Sequence, residues 1–166
     1  EIPKRDWSSD VCSSDRRATP TIVNTIDYIT ISTLGNALDF GDLTAARYTS
    51  SRSSSNTRGI FAGGFPTGGN VIDYITFSST GDAIDFGDLT ELRWLISGGI
   101  SNQTRGIFGG GSSTTSPYPF TNTIDYITIA STGDARDFGD LSSGRRMSSS
   151  VSSSVRGLFC GGYQPG

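Results

Sequence analysis

Val71-Ile72-Asp73-Tyr74-Ile75-Thr76-Phe77-Ser78-Ser79-Thr80-Gly81-Asp82-Ala83-Ile84-Asp85-Phe86-Gly87-Asp88-Leu89 is the stretch on which the reading of this chain turns. Its first seven residues are rich in β-branched and aromatic side chains and carry apolar groups on both alternating faces. They predict a strand covered on both sides. Ser79 to Asp82 contains Gly-Asp, which predicts a tight hairpin turn because glycine accepts positive φ. Ala83 to Leu89 predicts a second, more polar strand. The same wording begins at Ile26 and again at Ile124, so Ile-Asp-Tyr recurs after 46 and then 52 residues.

Reading outward, each copy continues in the same way. A loop carries a repeated arginine (Arg47, Arg93, Arg145), and a Ser- and Gly-rich segment follows at 50–57, 97–104 and 148–155. That segment is a poor strand by propensity, and it makes sense where space is tight, as on the innermost strand of a radial array. Last comes a short apolar strand, Arg105-Gly106-Ile107-Phe108-Gly109-Gly110 in the second copy, closed by a glycine pair (Gly63-Gly64, Gly109-Gly110, Gly161-Gly162) that permits a sharp turn and close backbone approach. Each copy thus predicts four strands, and no segment predicts a helix. The copies span about 22–64, 71–111 and 122–162. A period near 50 residues points to stacked supersecondary units, each unable to bury its faces alone.

These residues resemble a divergent kelch repeat. The glycine pair after an apolar strand is similar to the kelch glycine pair, and the Ile-Asp-Tyr strand resembles the third kelch strand. Asp-Phe-Gly-Asp-Leu with its following arginine resembles the fourth, with Phe40, Phe86 and Phe138 where kelch usually has Trp. Each copy therefore starts at the third kelch strand and ends at the second. The wording is also similar to repeats in marine bacteriophage proteins, some of them virion or tail-associated. The resemblance covers residues 22–162 and implies an all-β fold of kelch-like β-propeller blades. Three four-stranded repeats are too few to close a ring of four to eight blades, so the expectation is an incomplete propeller, part of a longer protein.

Residues 1–19 share nothing with the repeats. Arg5 to Asp15 resembles translated sequencing-adapter read-through, and the tail is expected to be disordered or artefactual. The net charge of -3 gives no electrostatic footprint for nucleic acid, and no apolar run is long enough for a membrane helix. Cys160 stands where the other copies have Ala62 and Gly109, which predicts a small buried side chain rather than a redox centre.

The chain has no histidine, which excludes Ser-His-Asp triads, His-ligated metals and the copper site of some kelch-propeller oxidases. The only lysine is Lys4, in the tail. Asp-Phe-Gly occurs three times without the other protein-kinase motifs, so it is not read as a metal-binding triplet. Nine aspartates recur at repeat positions: Asp27, Asp39 and Asp42 and their counterparts. A calcium site would draw on Asp82, Asp85 and Asp88, matched by Asp134, Asp137 and Asp140, but their spacing is not that of an EF-hand; a catalytic pair needs unique placement, whereas an aspartate kept in every copy is architectural. The same reasoning assigns structural roles to Asp27, Asp73 and Asp125, to Arg47, Arg93 and Arg145, and to Arg58, Arg105 and Arg156, the arginines pairing with repeat aspartates or backbone carbonyls.

Function is expected where the copies differ. Pro117-Tyr118-Pro119-Phe120 sets two aromatics on a proline-stiffened loop, and Trp94 interrupts an otherwise polar one. The resemblance implies that these two loops share a face, so Trp94, Tyr118 and Phe120 form the candidate binding surface. No catalytic residue, metal or cofactor is expected. The expected function is a non-catalytic module for protein or surface-glycan binding, a virion or tail-associated structural protein placed in the virion or outside the cell if the phage resemblance holds. Self-association or further blades would complete the array, without nucleic acid and without membrane insertion. The alternative is a propeller fragment of a carbohydrate-active enzyme or oxidase whose catalytic residues lie outside this chain.

Overall fold

A computed structural model describes residues 21–48, 50–67, 69–115 and 117–164. The predicted tail, 1–19, lies outside the described residues. The fold is all-β. The first copy supplies β1 (Thr25–Tyr28), β2 (Leu38–Asp42), β3 (Arg47–Tyr48), β4 (Ser51–Ser54) and β5 (Arg58–Ala62). After β6 (Phe65–Pro66), the second supplies β7 (Val71–Thr76), β8 (Ile84–Asp88), β9 (Arg93–Trp94), β10 (Ile100–Ser101) and β11 (Arg105–Gly109). After β12 (Ser112–Ser113), the third supplies β13 (Thr123–Thr128), β14 (Arg136–Asp140), β15 (Ser149–Ser152) and β16 (Gly157–Cys160).

The sheets are out of phase with the repeats. One four-stranded antiparallel sheet has the order β4-β5-β7-β8 and a second has β10-β11-β13-β14, so each joins the end of one copy to the start of the next. The outcome is not three complete sheets but two, flanked by the two-stranded halves β1-β2 and β15-β16. The cause is visible in the pairing. Phe61 lies opposite Asp73 and Phe108 opposite Asp125, so the Ile-Asp-Tyr strand finds its inner partner in the preceding copy.

Strand β7 is covered on both faces, as its composition predicts. Ile72 joins a core with Ile60, Phe86, Phe108, Ile127 and Ile129 between the two complete sheets. Ile75, an odd number of residues away and so on the other face, joins Phe40 and Ala83, with Ile26 and Phe61 packed against them, between β1-β2 and the first complete sheet. Burial of each such side chain contributes about 1.5–3 kcal/mol.

The Ser-rich segments are the edge strands at which neighbouring sheets meet. Ser101 Oγ accepts from the Ser54 amide, and Ser152 Oγ accepts from the Ser101 amide and donates to the Ser101 carbonyl. Ser51 Oγ donates to the Ser97 carbonyl at 2.8 Å and Ser150 Oγ to that of Gly99 at 3.0 Å. A Cβ on Gly99 would collide with the Arg52 carbonyl oxygen. Serine and glycine are thus required because backbones approach closely and the exposed edge groups need short polar side chains as partners.

The Gly-Asp turn departs from expectation. β7 ends at Thr76 and β8 begins at Ile84, so the connection is longer than a two-residue hairpin turn. The reason is tertiary: Gly81 and Ala83 donate their amides to the carbonyls of Phe40 and Asp42 on the neighbouring sheet, both at 2.7 Å. Gly133 and Ala135 do the same to Phe86 and Asp88. The turn caps the free edge of the preceding sheet.

Candidate functional site

Two of the repeated arginines, Arg47 and Arg93, and two of the repeated aspartates, Asp73 and Asp125, lie inside the array. Arg47 reaches Asp73 at 2.7 Å and Arg93 reaches Asp125 at 2.5 Å, all four side chains fully buried. Each aspartate also accepts from a threonine of the preceding copy: Thr44 Oγ1 at 2.7 Å on Asp73, Thr90 Oγ1 at 2.6 Å on Asp125. Arg93 donates further to the carbonyls of Thr123 and Phe108. Burial lowers the Arg93 guanidinium from its ordinary value, and the Asp125 carboxylate opposes the shift. These pairs clamp consecutive copies together, and the four charges in them are not free for a ligand.

The second arginine set acts differently. Arg58 donates to the Ile129 carbonyl at 2.8 Å and lies 4.5 Å over the Tyr74 ring, while Arg105 lies 5.1 Å over Tyr126. Arg156 has no ring beneath it among the described residues, and it is exposed. In Asp-Phe-Gly, the aspartate accepts from the glycine amide two residues on (Asp39 to Gly41, Asp85 to Gly87, Asp137 to Gly139). The intervening phenylalanine is skipped in the strand register. The triplet therefore builds a β-bulge. Among the described residues no group of three or more acidic, Cys or His side chains is placed to hold a metal ion. The Asp88 carboxyl is held above its ordinary value, by desolvation first and then by the carboxylates of Asp134 and Asp85.

Two sequence assignments are corrected here. The glycine pair of the second copy is Gly110-Gly111, with φ of 66° and 116°, matching Gly63-Gly64 at 64° and 123° and Gly161-Gly162 at 66° and 104°. Gly109 lies within β11 opposite Ile124. The pair is glycine because the backbone of the next copy presses on it: a Cβ on Gly63 would sit 2.8 Å from the Arg93 carbonyl oxygen, and Gly111 donates its amide to the Arg145 carbonyl at 2.8 Å. Cys160, expected to be buried, is exposed, because no strand lies on its outer side as β7 does for Ala62.

The candidate aromatic residues come together. Trp94 in β9 pairs with Ser112 in β12, and Ser112 forms a bridge with Phe120 on its other side. Glu91 ties the two loops by accepting from Thr121 and Thr123 hydroxyls. Tyr118 is 48 % exposed and adopts φ 59°, a left-handed conformation that turns the loop. Trp94 is half-buried against Phe65, with ring centroids 4.9 Å apart, and Phe65 meets Tyr48 edge-on at 5.8 Å. Phe120 packs on Tyr163, and Arg146 lies 4.6 Å over Phe120 and 5.4 Å over Tyr163.

Sequence reading missed Tyr48, Phe65, Arg146 and Tyr163. The signal was positional. Tyr48, Trp94 and Arg146 each follow the repeated arginine, and Phe65, Ser112 and Tyr163 each follow the glycine pair. The pairings Tyr48–Phe65, Trp94–Ser112 and Arg146–Tyr163 repeat accordingly. Ser112 is the one small member of the set, and the longer loop after it brings Phe120 alongside. A hollow of about 400 Å³ lies elsewhere, over the serine-rich edge between Arg52 and Ser150.

No protein-family model matches this chain, and no curated protein matches it.

Proposed function

We propose that this chain is a non-catalytic binding module, a kelch-like propeller arc of the kind used in virion or tail-associated structural proteins. Its contact surface is the aromatic band of Trp94, Tyr118 and Phe120, widened by Tyr48, Phe65, Arg146 and Tyr163. The observation that carries the reading is the meeting of Trp94, Ser112 and Phe120 on adjacent strands. The charges of Arg47, Asp73, Arg93 and Asp125 are consumed in holding copies together, and residues that vary between copies gather in one place. Flat rings bordered by Glu91, Arg146 and threonine hydroxyls suit stacking against a sugar ring, with polar groups at its rim for hydroxyls. The same rings suit an apolar anchor of a protein partner.

The test uses a glycan array, followed by titration of Trp94 fluorescence in a Trp7→Phe background. Saturable binding is expected, with Tyr118→Ala weakening it about tenfold at unchanged Tm. An unchanged affinity in Tyr118→Ala would remove the aromatic band as the site. Absence of any glycan signal, together with loss of a captured protein on Tyr118→Ala, would leave the protein-binding form of the reading.

A further inference from the structure

The two half-sheets are complementary. In each complete sheet the second strand of one copy, β5 or β11, pairs with the Ile-Asp-Tyr strand of the next, β7 or β13. Among the described residues the half-sheet β15-β16 has the first two strands and lacks the last two, and β1-β2 has the last two and lacks the first two. We propose that this chain self-associates tail to head, β16 of one copy pairing antiparallel with β1 of a second. The equivalent register sets Phe159 opposite Asp27, Leu158 opposite Tyr28 and Cys160 opposite Ile26. This joint is independent of whatever the aromatic band binds.

Three further features, each separate from the strand edges, point to the same occupant. The first is charge. Arg145 stands where Arg47 and Arg93 stand, yet it has no ion pair among the described residues. Asp27 stands where Asp73 and Asp125 stand, yet it is exposed and unpaired among the described residues. Ser142 occupies the place of Thr44 and Thr90, which donate to that aspartate in the two formed clamps.

The second feature is a vacant seat. Gly41 and Gly87 are closely covered by the turns at Gly81 and Gly133, whereas a Cβ on Gly139 would meet nothing within 4 Å. Phe138 beside it is 51 % exposed, against 7 % for Phe40 and 3 % for Phe86. The turn that would cover both by equivalence, Gly35-Asn36-Ala37, stands at the other end, and among the described residues it makes none of the amide-to-carbonyl bonds that seat Gly81 and Ala83. The third is the arginine–tyrosine contact: among the described residues Arg156 has no ring beneath it, and Tyr28 has no arginine above it. The second copy supplies each missing half. Such a contact is heterologous, and it either closes or propagates according to the rotation between copies.

Sedimentation equilibrium of the full chain across about 1–500 µM, a range that brackets ordinary protein association, reads the joint directly. The mass is expected to rise beyond one chain. Asp27→Arg, at an exposed site, should weaken association about a hundredfold or more by facing Arg145 with a like charge. Asp27→Arg with Arg145→Asp should recover at least about tenfold of that loss. Phe138→Arg, remote from the ion pair, should weaken association on its own. In a Cys12→Ser background the Cys160 thiol should lose reactivity as association proceeds. A single-chain mass at every concentration overturns the proposal. So does association that Asp27→Arg and Phe138→Arg leave unchanged, or a Cys160 thiol as reactive in the associated form as in the free one.

Discussion

Phe86 and Phe138 hold the same place in the same run of residues, Asp-Phe-Gly-Asp-Leu, and make the same edge-on contact with a tyrosine, Tyr74 or Tyr126, at 5.8 and 5.9 Å. One is 3 % exposed and the other 51 %. Ile75 and Ile29 differ in the same sense, at 6 % and 62 %, and so do Asp73 and Asp27. The local sequence makes the strand, the bulge and the aromatic pair in every copy. Only a neighbouring copy makes a core. In a stacked array a residue's energetic weight therefore depends on which side of it another unit lies, and identical side chains carry large and small contributions in one molecule.

This contrast is open to direct measurement by denaturant unfolding at low protein concentration. The largest difference is expected at the aspartates. Asp125→Ala leaves the Arg93 guanidinium buried without its carboxylate and should cost about 3–5 kcal/mol, whereas Asp27→Ala should stay within about 0.5 kcal/mol. Equal losses would mean that Asp27 is already paired in the isolated chain. Next come the aromatics: Phe86→Ala should cost about 3–4 kcal/mol through the cavity it opens, and Phe138→Ala about 1 kcal/mol or less.

The glycines separate backbone strain from collision. Gly139→Ala should cost about 1–2 kcal/mol, since its φ of 129° disfavours any side chain. Gly87→Ala should cost more, because its Cβ would also sit 2.6 Å from the Gly133 carbonyl. Identical costs would show that the turn does not hold its seat in solution.

The smallest effect is electrostatic. Asp88 has a raised value in the folded state, so the fold holds its proton more tightly than the unfolded chain does. The stabilisation is fully present below the ordinary carboxylate range and is lost as pH rises through the folded value. Asp88→Asn should therefore be more stable than the parent at neutral pH by no more than about 0.5 kcal/mol, the advantage fading towards about pH 3. A lower stability at neutral pH would reverse the assignment.

Much of this was legible in the residues. The repeat phase, starting at one strand of a sheet and ending at another, follows from where Ile-Asp-Tyr and the glycine pair fall. The structural reading of the repeated arginines follows from their recurrence. The loops bearing Trp94 and Phe120 stood out because they break the repeat. Less legible were the companions of those aromatics. Tyr48, Phe65 and Tyr163 look like ordinary strand residues until the arginine and glycine backbones of successive copies are seen to touch. The one-residue slip at Gly109 took the first two of three consecutive glycines, although the repeat sets Gly109 against Ala62 and Cys160 and so marks Gly110 and Gly111 as the pair, as their positive φ does.

The sequence by itself determined the all-β class, the main strands of each copy, the absence of helix signal and the residue types at each interface, because propensity, periodicity and turn chemistry are local; the two-residue strands β3, β6, β9 and β12 carry no such signal. Only the tertiary structure decided that Gly81 caps a neighbour's edge instead of closing a tight hairpin, and that Arg93 reaches Asp125 rather than an aspartate of its own copy. Those outcomes depend on which unpaired edge meets which, and an edge has the same hydrogen-bonding groups whatever side chains it carries.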